Sequence, residues 1–176
     1  TTPRWLHRYG GWLDDGTPDR FARYCERVTR HLGDLIGAGC TLNEPNIAVV
    51  LGHVLGIQPQ TDPWWPAAAQ QLNAPPGKLG LFQFDASAEM REIILTAHRR
   101  GYEAIKSVRG DFPLGLTLAL HDFQAVPGGE HTMAEYRRVI ADAYLERVRG
   151  DDFVGVQNYA RMLIGADGII QPGGAV

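Results

Sequence analysis

Apolar positions along this chain recur with two different periods that take turns. From position 17 onward Phe21, Tyr24, Cys25, Val28, His31 and Leu32 return at steps of three and four, with arginines on the other side. Thr17-Pro18 ahead of them reads as a helix start, the threonine as N-cap and the proline in the first turn, where its missing N–H costs nothing. Gly33 ends that helix. A short strand-like run follows at 40–43, and Pro45 is placed to begin a second helix through Ile47, Val50, Leu51 and Val54. A third stripe, Ile93, Ile94, Ala97, Tyr102 and Ile105, predicts a long helix over 86–108 capped by Asp85. A fourth runs through Tyr136, Val139, Ile140, Ala143, Tyr144 and Val148, opened by a Thr132/Glu135 capping box and stopped by Gly150.

Between these stripes the period changes. LGLTLAL at 114–120 is nearly continuous apolar sequence, as in a parallel strand covered on both faces, and 153–159 reads as a third strand. Helix, strand, helix, strand, helix, strand calls for a parallel sheet or barrel with helices outside. Residues 56–77 are rich in proline and glutamine without a steady period and predict a long surface loop. Trp64 and Trp65 at its centre either stack on a sugar ring or anchor the loop to the surface beneath. The tail from position 165 carries no pattern beyond a short apolar piece, and there is no internal repeat.

Charge changes the picture only by exclusion. Seventeen Lys and Arg against 20 Asp and Glu leave a formal net charge of -3 in 176 residues, so no basic field exists to attract nucleic acid or an anionic membrane surface. No apolar run is long enough to span a bilayer. The two cysteines, Cys25 and Cys40, are too few for a disulfide framework and read as buried thiols of a reducing, cytoplasmic compartment. The histidines show no zinc-ligand spacing, so neither a metal site nor a cofactor is expected. His98 reads as a packed helix residue.

In parallel α/β architectures, ligand-facing side chains sit at the carboxyl ends of the strands. Those ends here carry Asn43-Glu44, His121-Asp122 and Asn158-Tyr159, a carboxylate, amides, an imidazole and a phenol on one side of the sheet. A partly buried glutamate at such a place suits proton donation, because desolvation penalises the charged form. An adjacent asparagine offers both a donor and an acceptor to a vicinal hydroxyl.

TLNEP at 41–45 resembles the acid/base motif of the family 1 glycoside hydrolases, the β-glucosidase family. TTPRWL with the following GGW, FARYCERVTRHLGD, ILTAHRRGYEAIKS and DFVGVQNYAR are similar, in the same order, to segments running from behind that family's third barrel strand to its sixth. The resemblance implies an α/β fold of the (β/α)8 TIM-barrel type, with residues 1–176 a single segment covering about the fourth to sixth βα units and incomplete at both ends. It implies a retaining β-glycosidase acting on a small carbohydrate, with Glu44 as general acid/base and Asn43 on the sugar 2-hydroxyl. Tyr159 matches the tyrosine that holds the nucleophile. Gln157 and Asn158 stand where many members have asparagine and tyrosine, which puts substrate preference in question.

A retaining glycosidase needs a second carboxyl group about 5 to 5.5 Å from the first. The family's Thr/Ser-Glu-Asn-Gly type nucleophile motif is absent from this sequence. Asp122 is the one candidate within it, its alternative being a solvated strand-end carboxylate. The expectation is therefore that the nucleophile lies outside the 176 residues and that the isolated chain is inactive. The competing expectation is a non-catalytic sugar-binding or assembly piece of barrel origin, completed by other chains.

Overall fold

The computed structural model describes residues 2–56 and 59–170. Positions 57–58 of the predicted loop, the tail beyond 170 and the Val54 side chain of the second stripe lie outside the described residues. Three strands, β1 (Gly39–Asn43), β2 (Leu114–Ala125) and β3 (Phe153–Gly165), form a parallel sheet in chain order. A two-residue β4 (Gly168–Ile169) folds back antiparallel on the end of β3. The helices are α1 (Thr17–Leu32), α2 (Ile47–Leu55), α3 (Trp65–Gln71), α4 (Ala88–Val108), α5 (Glu130–Arg137) and α6 (Ala143–Leu145). The last two join through a π-turn at Arg138–Asp142.

Side-chain alternation on β2 explains how the sheet is used. Leu116 and Leu118 point to the helices and are fully buried against Leu95 of α4, Tyr144 of α6 and Val148. Thr117, between them, turns to the other face and meets Asn43 and Gln157. Helix α4 also packs on α1 and β1 through Met90, Ile94, Ala97, Leu42 and Trp12. Gly101 permits the close α1–α4 approach, since a Cβ there would lie 2.8 Å from the Phe21 ring. Toward β3 the sheet is uncovered: Val156, in register with Leu118, and Tyr159 and Leu163 are exposed, and among the described residues β1 pairs with β2 alone.

The predicted order of elements is the observed one, with local corrections. The first helix is capped at Gly16 and not by Thr17, whose hydroxyl donates to Gly11 O (2.6 Å). Pro45 lies in a turn, and α2 begins at Ile47. Residues 56–77 are not one long loop: Pro66 follows Trp65 in the first turn of α3, and Pro59–Thr61 forms a 3-10 turn. Ser87, not Asp85, caps α4, its hydroxyl accepting from Met90 N, while Asp85 accepts from Ser87 N. The capping box does not form because the helix starts earlier, at Glu130; Thr132 donates to Ala166 O and Glu135 pairs with Arg138. β2 and β3 outrun their predicted ends and stay paired past a bulge between Leu120 and Asp122. Cys25 is buried as expected, but Cys40 is exposed, because it lies on β1, whose other edge is uncovered among the described residues.

Candidate active site

The carboxyl end of β1 leads straight into the chemistry. Asn43 is the last strand residue and lies opposite Thr117 of β2; Glu44 N still donates to Thr117 O (2.9 Å), so the glutamate leaves the sheet from a fixed point. Its backbone then turns into the left-handed region at φ 51. A side chain other than glycine, asparagine or aspartate is uncommon there, and such strain concentrates at functional sites where the surroundings enforce it.

Asn46 does the enforcing. It is fully buried, and its amide acts as an extra rung on the sheet: Nδ2 donates to Ala119 O (2.7 Å) and Oδ1 accepts from Ala119 N (3.0 Å). Nδ2 donates as well to Ile140 O (2.9 Å), inside the π-turn. Although Asn46 stands at the N-cap of α2, its side chain makes no cap bond, having been used on β2 and the helix behind. Glu44 is thus held between two anchors, Thr117 before it and Asn46 after it.

β3 supplies the partner. Tyr159 Oη donates to Glu44 Oε1 (2.5 Å) and lies 2.6 Å from Gln157 Oε1. Gln157 Nε2 reaches Asn43 Oδ1 (2.5 Å) and Thr117 Oγ1 (3.0 Å), and the Thr117 hydroxyl donates to Asn43 Oδ1 (2.9 Å). The bond to Glu44, more than burial, raises the Tyr159 phenol above its ordinary pKa, keeping it protonated. His121 of β2 joins the group with its ring 6.1 Å from that of Tyr159. Burial lowers its pKa and favours a neutral imidazole, opposed by the Ala160 backbone and by the Glu44 carboxylate.

Of the residues singled out from sequence, Glu44, Asn43, Tyr159 and His121 come together. Asp122 turns elsewhere: its carboxylate accepts from Arg161 Nε (2.8 Å) and from Gln124, and the Arg161 bond holds its pKa below the usual carboxylate value. Trp64 and Trp65 form a separate edge-on pair, with Trp64 against Phe84 and its Nε1 on Asp62. Gln157 and Thr117 complete the site without having been singled out as site residues. The resemblance marks Gln157 only as a departure from the family pattern; its two-residue step from Tyr159, which sets both on one face of a strand, is the signal that could have found it. Among the described residues no group of three His, Cys, Asp or Glu side chains is placed to hold a metal ion.

Residues 1–148 match the sequence profile of Glycosyl hydrolase family 1. The chain belongs to that family. Family 1 likeness extends to the three-dimensional structure: the crystal structure of beta-glycosidase BGL167 superposes at a TM-score of 0.90 with 46% identity, covering 99% of this chain and 43% of that one. A beta-galactosidase of Saccharolobus solfataricus is 29% identical over 92% of this chain and 36% of its own length. A beta-glucosidase of an Agrobacterium species is 34% identical over 69% of this chain and 22% of its own length. The open sheet with its helices is accordingly a partial (β/α) barrel, and the matches cover between about a fifth and under half of the length of these three proteins.

Proposed function

We propose that this chain carries the acid/base half of a retaining β-glycosidase site, acting on β-glucosides or related β-glycosides. The observation that carries the reading is the placement of Glu44 at a barrel strand end, in strained backbone, with Tyr159 on its carboxyl group and Asn43 beside it. Glu44 protonates the departing glycosidic oxygen and later takes a proton from the attacking water. Asn43 binds a sugar hydroxyl next to the bond that breaks, and His121 lines the same floor. The nucleophile comes from a strand outside the 176 residues, about 5 to 5.5 Å from Glu44 across the open face of the sheet. Glucoside and galactoside are both within the class, in keeping with the names of the relatives.

The open sheet also favours completion by further barrel strands, in the same polypeptide or from other chains. Val156 and Leu163 are apolar and more than two-fifths exposed on β3, an arrangement that calls for cover. Two free thiols fit a reducing, cytoplasmic setting. No helix among the described residues is long and apolar enough to cross a membrane.

The test is hydrolysis of an aryl β-glucoside followed by NMR of the released sugar. With the complementary strands present, β-glucose forms first; α-glucose as the first product contradicts the retaining reading. The 176-residue chain alone is expected to give no turnover, and robust turnover by it would place both carboxylates within the chain.

A further inference from the structure

The contacts around Tyr159 do not balance with one phenolic proton. Its hydroxyl has a carboxyl oxygen at 2.5 Å and an amide oxygen at 2.6 Å, both acceptors as drawn, and a phenol can donate to only one of them. A second proton has to lie on one of these two lines, and Gln157 Oε1 cannot supply it. Glu44 can. With a proton on Glu44, the carboxyl donates to Tyr159 Oη, Tyr159 donates to Gln157 Oε1, and Gln157 Nε2 donates to Asn43 Oδ1 and Thr117 Oγ1. Thr117 donates to Asn43 Oδ1, so that oxygen is saturated and Asn43 is left with its Nδ2 protons for a ligand.

The same five contacts admit one other complete arrangement. Once Glu44 has given up its proton, Tyr159 donates to the carboxylate, and Gln157 turns its amide over to donate from Nε2 to Tyr159 Oη. Thr117 then donates to Gln157 Oε1, and Asn43 turns over to donate from Nδ2 to Gln157 and Thr117. Every bond is kept with its direction reversed, and the only covalent change is loss of the Glu44 O–H proton to the leaving oxygen. Asn43 now presents Oδ1, an acceptor, to the ligand.

The geometry points to Gln157 as a positioning residue that couples the proton on Glu44 to the orientation of the Asn43 amide. The sugar-facing group is a hydrogen-bond donor when Glu44 is protonated and an acceptor when it is not. This rests on the reading of Glu44 as proton donor and Asn43 as sugar ligand, and adds that the two work as one unit through β3. The side chain suits the task because its amide has a donor and an acceptor end that exchange on rotation. Leucine in its place would fill the volume and break the relay.

The coupling is tested by side-chain amide NMR of the full 176-residue chain across a pH titration, with no need for turnover. Tyr159 on β3 and His121 on β2 are titratable groups in electrostatic contact with Glu44, and the His121 ring signals report its own midpoint separately. Asn43 Nδ2 and Gln157 Nε2 signals are expected to move with the midpoint of the Glu44 carboxyl carbon. In Tyr159→Phe and in Gln157→Leu, Glu44 still titrates and the Asn43 signals no longer follow it. Asn43 signals that ignore Glu44 in the parent chain, or that follow it unchanged in Tyr159→Phe, overturn the relay. Failure of the glycosidase assay would leave this titration unaffected, so the two proposals fail separately.

Discussion

Asn46 pairs with Ala119 as a strand residue would, giving and accepting one hydrogen bond through its side chain, and so extends β1 past Glu44 without any backbone there. Replacing it by alanine orphans the buried Ala119 amide and carbonyl and removes the side-chain bond to Ile140 O. At about 1–3 kcal/mol for each unsatisfied group, less what water recovers, Asn46→Ala is expected to cost about 3 kcal/mol. Urea denaturation measures it, and a loss under about 1 kcal/mol would show that the side chain is not the anchor.

The backbone at Glu44 separates strain from chemistry. A residue with a Cβ pays about 1–2 kcal/mol in the left-handed region, while glycine pays about half of that back through its freer unfolded chain. Both Glu44→Ala and Glu44→Gly remove the carboxyl group. The glycine variant is expected to be the more stable by about 0.5–1 kcal/mol, and equal thermal midpoints would mean that φ 51 carries no strain.

Much of this was legible in the chain itself. Apolar stripes at steps of three and four and the LGLTLAL run report burial directly, so α1, α4 and the core of β2 emerge from their periods. Where a hydroxyl or amide has a competing partner far along the chain, local pattern misleads. Thr17 and Thr132 look like caps but bond to Gly11 O and Ala166 O. Helix α3 hides in a Pro- and Gln-rich stretch because its seven residues include none that is buried, leaving no apolar stripe to read. Glu44, Asn43 and Tyr159 are legible from motif and strand position. The anchoring of Glu44 by Asn46 is not, since it depends on residues 73 and 94 positions away.

At the opposite end of the sheet a buried polar cluster ties α4 to the start of β3. Asp151 has no exposed side-chain surface; it accepts from Arg99 (2.8 Å) and stands 2.9 Å from His98 Nε2, while His98 Nδ1 meets the Thr41 hydroxyl (2.6 Å). Asp151→Ala leaves the Arg99 guanidinium, more than a third exposed, to be taken up by water, so the expected loss is that of the buried hydrogen bonds, about 1–3 kcal/mol in urea denaturation; a change under about 0.5 kcal/mol would place the cluster among the dispensable contacts.

The two cysteines should behave differently. Burial pushes the Cys25 thiol from 9.0 up to about 12, so the folded state holds a proton that the unfolded chain releases. The resulting stability is present below pH 9 and is lost as pH rises toward 12. Cys25→Ala is expected to flatten this alkaline decline. At pH 8 iodoacetamide should label the exposed Cys40 in the native protein and Cys25 only after unfolding, read by mass spectrometry of the peptides. Equal labelling of both in the native state would contradict the buried placement of Cys25.

The most direct measurement of the central claim is the leaving-group dependence of Glu44→Gln, assayed with the complementary strands in place. General acid catalysis contributes about 10²- to 10⁴-fold where the leaving oxygen needs a proton and little where it does not. The account predicts a loss of that size on an alkyl β-glucoside and near-normal cleavage of the glycosidic bond of a dinitrophenyl β-glucoside. Parent-like turnover of the alkyl substrate by Glu44→Gln would contradict it.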